Sequence, residues 1–240
     1  MTAPDREDGV PWRNFYGRRH GKKLRKGQKD LLATRLEALA PKGVTWEENP
    51  ERRPIDLRAL FPNAREVWLE IGFGGGEHML SLAAQHPDVG IIGCEAFING
   101  VAMLLSGIER SGVTNLAIHP GDARDLLDVL PPHSLGQVFL LYPDPWPKKR
   151  HHKRRFVNPE NIDPLARAMT PGAMLRVATD IGDYARHTLE VLERNQNFEW
   201  TAEFCRDWRA PWPGWPSTRY EVKALAAGRA PYYLSFRRKC

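Results

Sequence analysis

Five short apolar runs in this chain each end in, or are followed by, a carboxylate: "VWLEIGFGGGEH" carries Glu70, "GIIGCEAF" Glu95, "NLAIHPGDARD" Asp122, "FLLYPDPWP" Asp144 and "LRVATDIGD" Asp180. One acid at such a position reads equally well as the cap of a turn. Five in succession point to a pocket whose walls accept hydrogen bonds and attract positive charge, because ligands of doubly wound sheets bind beyond the carboxyl ends of the strands. The glycines after the first run narrow the ligand. A dinucleotide fingerprint, GxGxxG, needs glycine at 72, 74 and 77, but position 77 is Glu77, which repels a pyrophosphate. Gly72, Gly74, Gly75 and Gly76 instead form GxGGG, which admits a ligand close to the backbone without a phosphate cradle, and no P-loop pattern occurs. Glu95 lies 19 positions beyond Gly76 (95 − 76), the spacing at which an acid after the second strand accepts from both hydroxyls of a ribose. Asp122, one strand farther, is placed for an adenine amino group, and Glu70 for the cationic amino-acid end of S-adenosylmethionine. A cationic nucleoside without phosphate suits such a pocket, and NAD does not.

The stretch "LLYPDPWPKKRHHKRR" sets one acid between prolines and follows it with unbroken positive charge. Tyr142, Asp144 and Trp146 each precede a proline, which biases them toward extended backbone, and Pro143, Pro145 and Pro147 donate no amide. A stiff arch holding Asp144 is the expectation. Tyr142 and Trp146 are candidates to stack on a base and equally to be wall residues. His151 and His152 stand among six cations that repel a metal ion, so no metal is expected.

These side chains need a scaffold. The 240 residues suit one large domain. Apolar runs alternate with helical patterns from residue 65 onward, and "FEWTAEF" and "PYYLSF" read as closing strands. The fold expected is α/β: a Rossmann-like, doubly wound, seven-stranded, mostly parallel sheet with helices on both faces. "KDLLATRLEALAP" reads as a helix ending at Pro41. Residues 1–30 read as a flexible basic arm, and 31–240 as a single domain.

Charge is distributed unevenly. The formal net charge is +6, yet Arg18–Lys29 holds seven Lys or Arg and Lys148–Arg155 six, with no acid in either. The remaining 22 basic residues (35 − 13) face 29 acids, a balance of −7. Concentrated cations favour a polyanionic partner, since they release counterions condensed on nucleic acid. Lys149, Arg150, Lys153, Arg154 and Arg155 are the expected nucleic-acid contacts. Three cysteines, Cys94, Cys205 and Cys240, form no disulfide framework or metal pair. With no apolar run of about 20 residues and a polar start, the expected setting is the cytoplasm, away from membranes.

In their order, "EIGFGGGEH", "GCEAFINGVAMLL", "GDARDLL", "FLLYPDPWPKKRHHKRRF", "RVATDIGDYA" and "STRYEVKALAAG" resemble the bacterial tRNA (guanine-N7-)-methyltransferases, over roughly residues 65–236. The first block is common to many methyltransferases; "PDPWPKKRH" and the late "TRYE" are specific to this family. The resemblance implies S-adenosylmethionine as methyl donor and a guanosine in the variable loop of tRNA as acceptor. It implies that Glu70, Gly72, Gly74, Glu95, Asp122 and Asp144 serve the cofactor, with Asp144 also catalytic. It further implies substrate contacts at Lys148, Asp180, Thr218, Arg219, Tyr220 and Glu221. No obligatory protein partner is implied, and the protein is expected as a monomer or homodimer. Two rivals remain open at this stage. An amino-group methyltransferase is one, since "DPWP" loosely resembles the Asp/Asn-Pro-Pro-aromatic motif, although the order departs at Trp146 and Pro147. The other is an RNA-binding module whose methyltransferase-like fold has lost its cofactor.

Overall fold

The computed structural model describes residues 14–240. Seven strands form one sheet: β1 (Glu66–Ile71), β2 (Val89–Cys94), β3 (Leu116–His119), β4 (Leu135–Leu141), β5 (Met169–Thr179), β6 (Phe198–Trp200) and β7 (Tyr232–Arg238). Their order is β3-β2-β1-β4-β5-β7-β6. The first five in that order run parallel, and β7 is antiparallel to both β5 and β6. Successive connections run outward in opposite directions from β1 and β4, so the crevice between these two strands is the topological switch point.

The central strands are apolar along their length because both sheet faces are covered. One face packs Leu69, Ile71, Leu140 and Val177 against the helices Ala123–Val129, Pro159–Ala168 and Gly182–Arg194. The other packs Trp68, Ile91, Phe139 and Ala178 against Glu77–Gln85 and Ile98–Ser111. Successive strand residues serve opposite cores, as the two-residue period of a strand requires. The seven-stranded, mostly parallel reading of the sequence is what the sheet shows.

Local differences have local reasons. The first helix starts at Lys26 and breaks at Arg35, giving Lys26–Thr34 and a turn Leu36–Leu39 rather than one helix from Lys29. Leu31, Leu32, Leu36 and Leu39 still reach the same core. Of the expected basic arm, residues 1–13 lie outside the described residues. Residues 14–25 run without regular structure against the body, and the last residues of the expected arm, from Lys26, belong to the first helix: Arg19 O accepts from Ile98 N at 3.0 Å, and Asn99 bonds both Gly21 N and Lys22 O. The helix Pro159–Ala168 carries Pro164 in its interior, which masked it in the sequence pattern; its N-cap Asn158 accepts from Asn161 N. Among the described residues no helix is long and apolar enough to cross a membrane.

His119 closes β3 with its ring buried, and burial lowers its pKa to about 4. The unfolded chain takes up a proton below about 6.5 and the folded state resists until about 4, so this residue costs stability as pH falls through that interval. His119→Leu should therefore gain roughly 3 kcal/mol over the parent at pH 4 relative to pH 8, measured by urea unfolding at the two pH values; equal parental and variant pH profiles refute the assignment.

Candidate active site

A cavity of about 620 Å³ opens at the carboxyl ends of β1, β2 and β4. Its walls include Gly72, Gly74, Glu95, Asp122, Asp144 and Tyr220 of the residues proposed from sequence, together with Lys153, Arg154 and Arg155. The turn after β1 is built for close approach. Gly72, Gly74 and Gly76 all have positive φ, at 72°, 57° and 79°. A Cβ on Gly72 would point into open space, whereas one on Gly100 would come within 2.1 Å of the Gly74 carbonyl. Glycine at 100 thus lets the helix Ile98–Ser111 seat the turn.

Glu95 is held in a fixed orientation. Oε2 accepts from Gly74 N and Oε1 from Phe97 N, both at 2.8 Å. Each oxygen retains a further lone pair for an incoming hydroxyl. Burial raises its pKa above the ordinary 4.5, and the two amides partly offset this. Asp122 caps the helix Ala123–Val129 through Arg124 N at 3.0 Å, and its carboxylate also engages the Arg124 guanidinium. Arg124 in turn donates to Asn14 O, tying this corner to the N-terminal segment.

Asp144 stands exposed on the arch after β4. The expected extended backbone is not found at its neighbours: Tyr142 and Trp146 have φ of +49° and +43°. Such left-handed residues cost on the order of 1–3 kcal/mol and persist where surroundings hold them. Tyr142 N bonds Ala178 O at 2.7 Å, and its ring stacks near-parallel to Tyr220 at 6.4 Å. Burial, then Tyr233 and Glu221, push the Tyr142 phenol well above its usual pKa, so it stays a neutral wall group. Trp146 meets the edges of Tyr16 and His151, and the Arg154 guanidinium lies 5.0 Å over Trp146 and 4.4 Å over Tyr16.

Other proposed residues are placed elsewhere. Glu70 is buried with its side chain toward the opposite core, 2.6 Å from His78 Nδ1, and does not line the cavity. Lys148, Lys149 and Arg150 lie exposed at the start of a 3-10 turn spanning Lys149–Arg154, outside the cavity wall. Asp180 pairs with Arg229 at 2.6 Å. Thr218 caps the helix Arg219–Ala226 by accepting from Glu221 N at 3.2 Å. Glu221 is buried, accepting from Trp215 Nε1 at 2.9 Å and from the Tyr233 hydroxyl. Arg219 pairs with Glu77, the residue that interrupts the dinucleotide pattern. Arg155, expected as an RNA contact, is placed as a buried strut: it is 1% exposed and bonds the Pro145 carbonyl and Asp183.

Sequence reasoning missed Arg124, Phe15 and Tyr16 on the cavity wall, and counted Arg18 there only as part of the basic arm. For Arg124 a signal existed, since "GDAR" sets it two positions past the acid it holds. The cavity wall consequently carries both charges: Glu95, Asp122 and Asp144 share it with Arg18, Arg124, Lys153 and Arg154, rather than forming an acidic pocket throughout.

A family model described as "Putative methyltransferase" matches residues 64–234. A tRNA (guanine-N(7)-)-methyltransferase of Roseobacter denitrificans is 62% identical over 229 residues, 95% of this chain and 97% of the relative. One from Ruegeria pomeroyi is 60% identical over 99% of this chain and 98% of its own length. The chain belongs to the tRNA (guanine-N(7)-)-methyltransferase family. Among solved structures, the 16S rRNA methyltransferase KamB (TM-score 0.53, 17% identity, 82% of this chain, 94% of that one) shares the family's sheet and helices. The aminoglycoside-resistance methyltransferase NpmB1 does too (TM-score 0.52, 20% identity, 81% and 93%). Both likenesses concern the fold.

Glu221→Ala removes the acceptor of two donors, one of them on the buried Tyr233. A loss of roughly 2 kcal/mol in urea unfolding is expected; unchanged stability with weakened substrate binding would instead make Glu221 a substrate contact.

Proposed function

We propose that this protein transfers the methyl group of S-adenosylmethionine to N7 of a guanosine in tRNA, giving 7-methylguanosine and S-adenosylhomocysteine. The observation that carries the reading is the family match over nearly the whole chain, joined to a cavity at the sheet's switch point lined by Glu95, Asp122 and Asp144. The variable loop is the site in tRNA, the cytoplasm is the setting, and the protein acts as a monomer or homodimer without an obligatory partner.

The residues fit the cofactor. Glu95 keeps lone pairs for the ribose hydroxyls, Asp122 flanks the adenine side, and the turn at Gly72 and Gly74 leaves backbone open to a ligand. S-adenosylmethionine supplies an electrophilic methyl on its sulfonium. Guanine N7 carries a lone pair and no proton at neutral pH, so the chain need provide no general base. As the N7–carbon bond forms and the carbon–sulfur bond breaks, positive charge passes to the purine. Asp144 accepts from the guanine ring N–H or amino group and offsets that charge, a role of positioning and electrostatics. Lys148, Lys149, Arg150, Lys153 and Arg154 follow the phosphates, with Thr218–Glu221 and Asp180 shaping the substrate side. An acidic wall at Glu95 and Asp122 has no use in a bare RNA binder, which weighs against the non-catalytic module.

Radiolabelled methyl transfer to unmodified tRNA transcripts, followed by nucleoside analysis, should place the label in 7-methylguanosine. Label in an exocyclic amine would establish the amino-group rival, and tight tRNA binding without label the non-catalytic one. Glu95 binds ribose as a carboxylate with a raised pKa, so cofactor affinity should fall as pH drops into the window just above 4.5. Glu95→Gln should bind the cofactor about 10–100-fold more weakly at pH 7 and lose that pH dependence, read by calorimetry at successive pH values.

A further inference from the structure

Arg155 closes the basic run yet is placed unlike the rest of it. Its side chain is 1% exposed. Nε donates to the Pro145 carbonyl at 2.9 Å, Nη2 donates to the Asp183 carboxylate, and the guanidinium carbon lies 5.4 Å from the Tyr184 ring centre. Nη1 is buried with no hydrogen-bond partner. Removing a guanidinium from water is costly, and the planar fork is the one cationic group that bonds a carbonyl and a carboxylate together in fixed geometry. What that fork holds is the arch. Pro145 follows Asp144 directly, and Tyr142 and Trp146 on either side have left-handed φ that local preference does not supply. Pro143, Pro145 and Pro147 have no amide with which the arch can fasten itself. Beyond the bond of Tyr142 N to Ala178 O, the fastening comes from a side chain ten residues on (155 − 145), braced at its far end by Asp183 in the first turn of the helix Gly182–Arg194.

We propose that Arg155 is a positioning residue for methyl transfer, holding the Asp144 carboxylate at the cavity mouth through the Pro145 carbonyl. The proposal rests on the role of Asp144 given above. It sets Arg155 apart from Lys153 and Arg154, which share the run but stay outside this hydrogen-bonded brace. Through Asp183 it also ties the direction of the carboxylate to the end of β5.

The test uses full-length Arg155→Met and Arg155→Lys, alone and combined with Asp144→Asn. Turnover on a tRNA transcript is measured together with tRNA binding across a salt series and thermal melting. Arg155→Met should lower kcat about 100-fold, the loss typical of a misplaced reacting group, with tRNA affinity within twofold and an unchanged salt slope. Arg155→Lys keeps the charge but not the fork, and should recover turnover to about tenfold below the parent. The double variants should be no slower than Asp144→Asn alone, because both changes remove one interaction. A salt slope reduced by about one would make Arg155 a phosphate contact and overturn the proposal. Multiplying losses in the double variants, or parental turnover in Arg155→Lys, would overturn it too, the latter even if Arg155→Met fails to fold. Full activity in Asp144→Asn would sink the reading of Asp144 itself. Slow Asp144→Asn beside a fully active Arg155→Met would sink this inference alone.

Discussion

The parallel alignment of β3, β2, β1, β4 and β5 is the constraint on which the site depends. It sends the carboxyl ends of five strands to one edge, and the divergence at β1 and β4 opens the crevice there. Both faces of these strands are largely buried, and a carboxylate inside them, Glu70, is met by His78. A carboxylate at such an end is half desolvated. Glu95 tolerates this because Gly74 N and Phe97 N supply donors, and the same bonds hold the glycine turn against the second strand. One interaction thus orients the acid and shapes the turn.

Chain returning from the C-terminal third brings Tyr220 to the cavity wall. Thr218 starts the helix Arg219–Ala226, Glu221 anchors it to Trp215 and Tyr233, and Arg219 pairs across to Glu77. These bonds place Tyr220 beside Tyr142 at the mouth. Position 77 therefore has a second meaning. The acid that excludes a pyrophosphate is also the partner that docks the closing helix, so the exclusion of dinucleotides and the closure of the site share one residue.

Charge is arranged by the same geometry. The cavity wall carries the acids of the strand ends together with cations from the arm and the 3-10 turn. A positively charged cofactor and a polyanionic substrate need opposite surroundings, and a cavity whose wall carries both acids and cations accommodates both. Burial of Arg155 takes one cation out of the rim and turns it to the support of the backbone.

The amino-acid sequence by itself determined the strands, their alternation with helices and the acids at their ends, because hydrophobic period and glycine or proline placement are local properties. Glu95, Asp122 and Asp144 were legible for that reason: residues that follow parallel strands must gather at one edge. The direction of each side chain was not legible. Glu70 belongs to the same pattern, yet two-residue alternation inside β1 turns it to the opposite core, where His78 meets it. Tyr142 and Trp146, each followed by a proline, adopt left-handed backbone against their local bias, since contacts from Ala178, Tyr16 and Arg155 around the arch outweigh it. Arg155 is one more cation in the string of letters; only the fold decides that it is a strut, because burial and the reach of its fork to Pro145 and Asp183 arise from elements far apart in the chain.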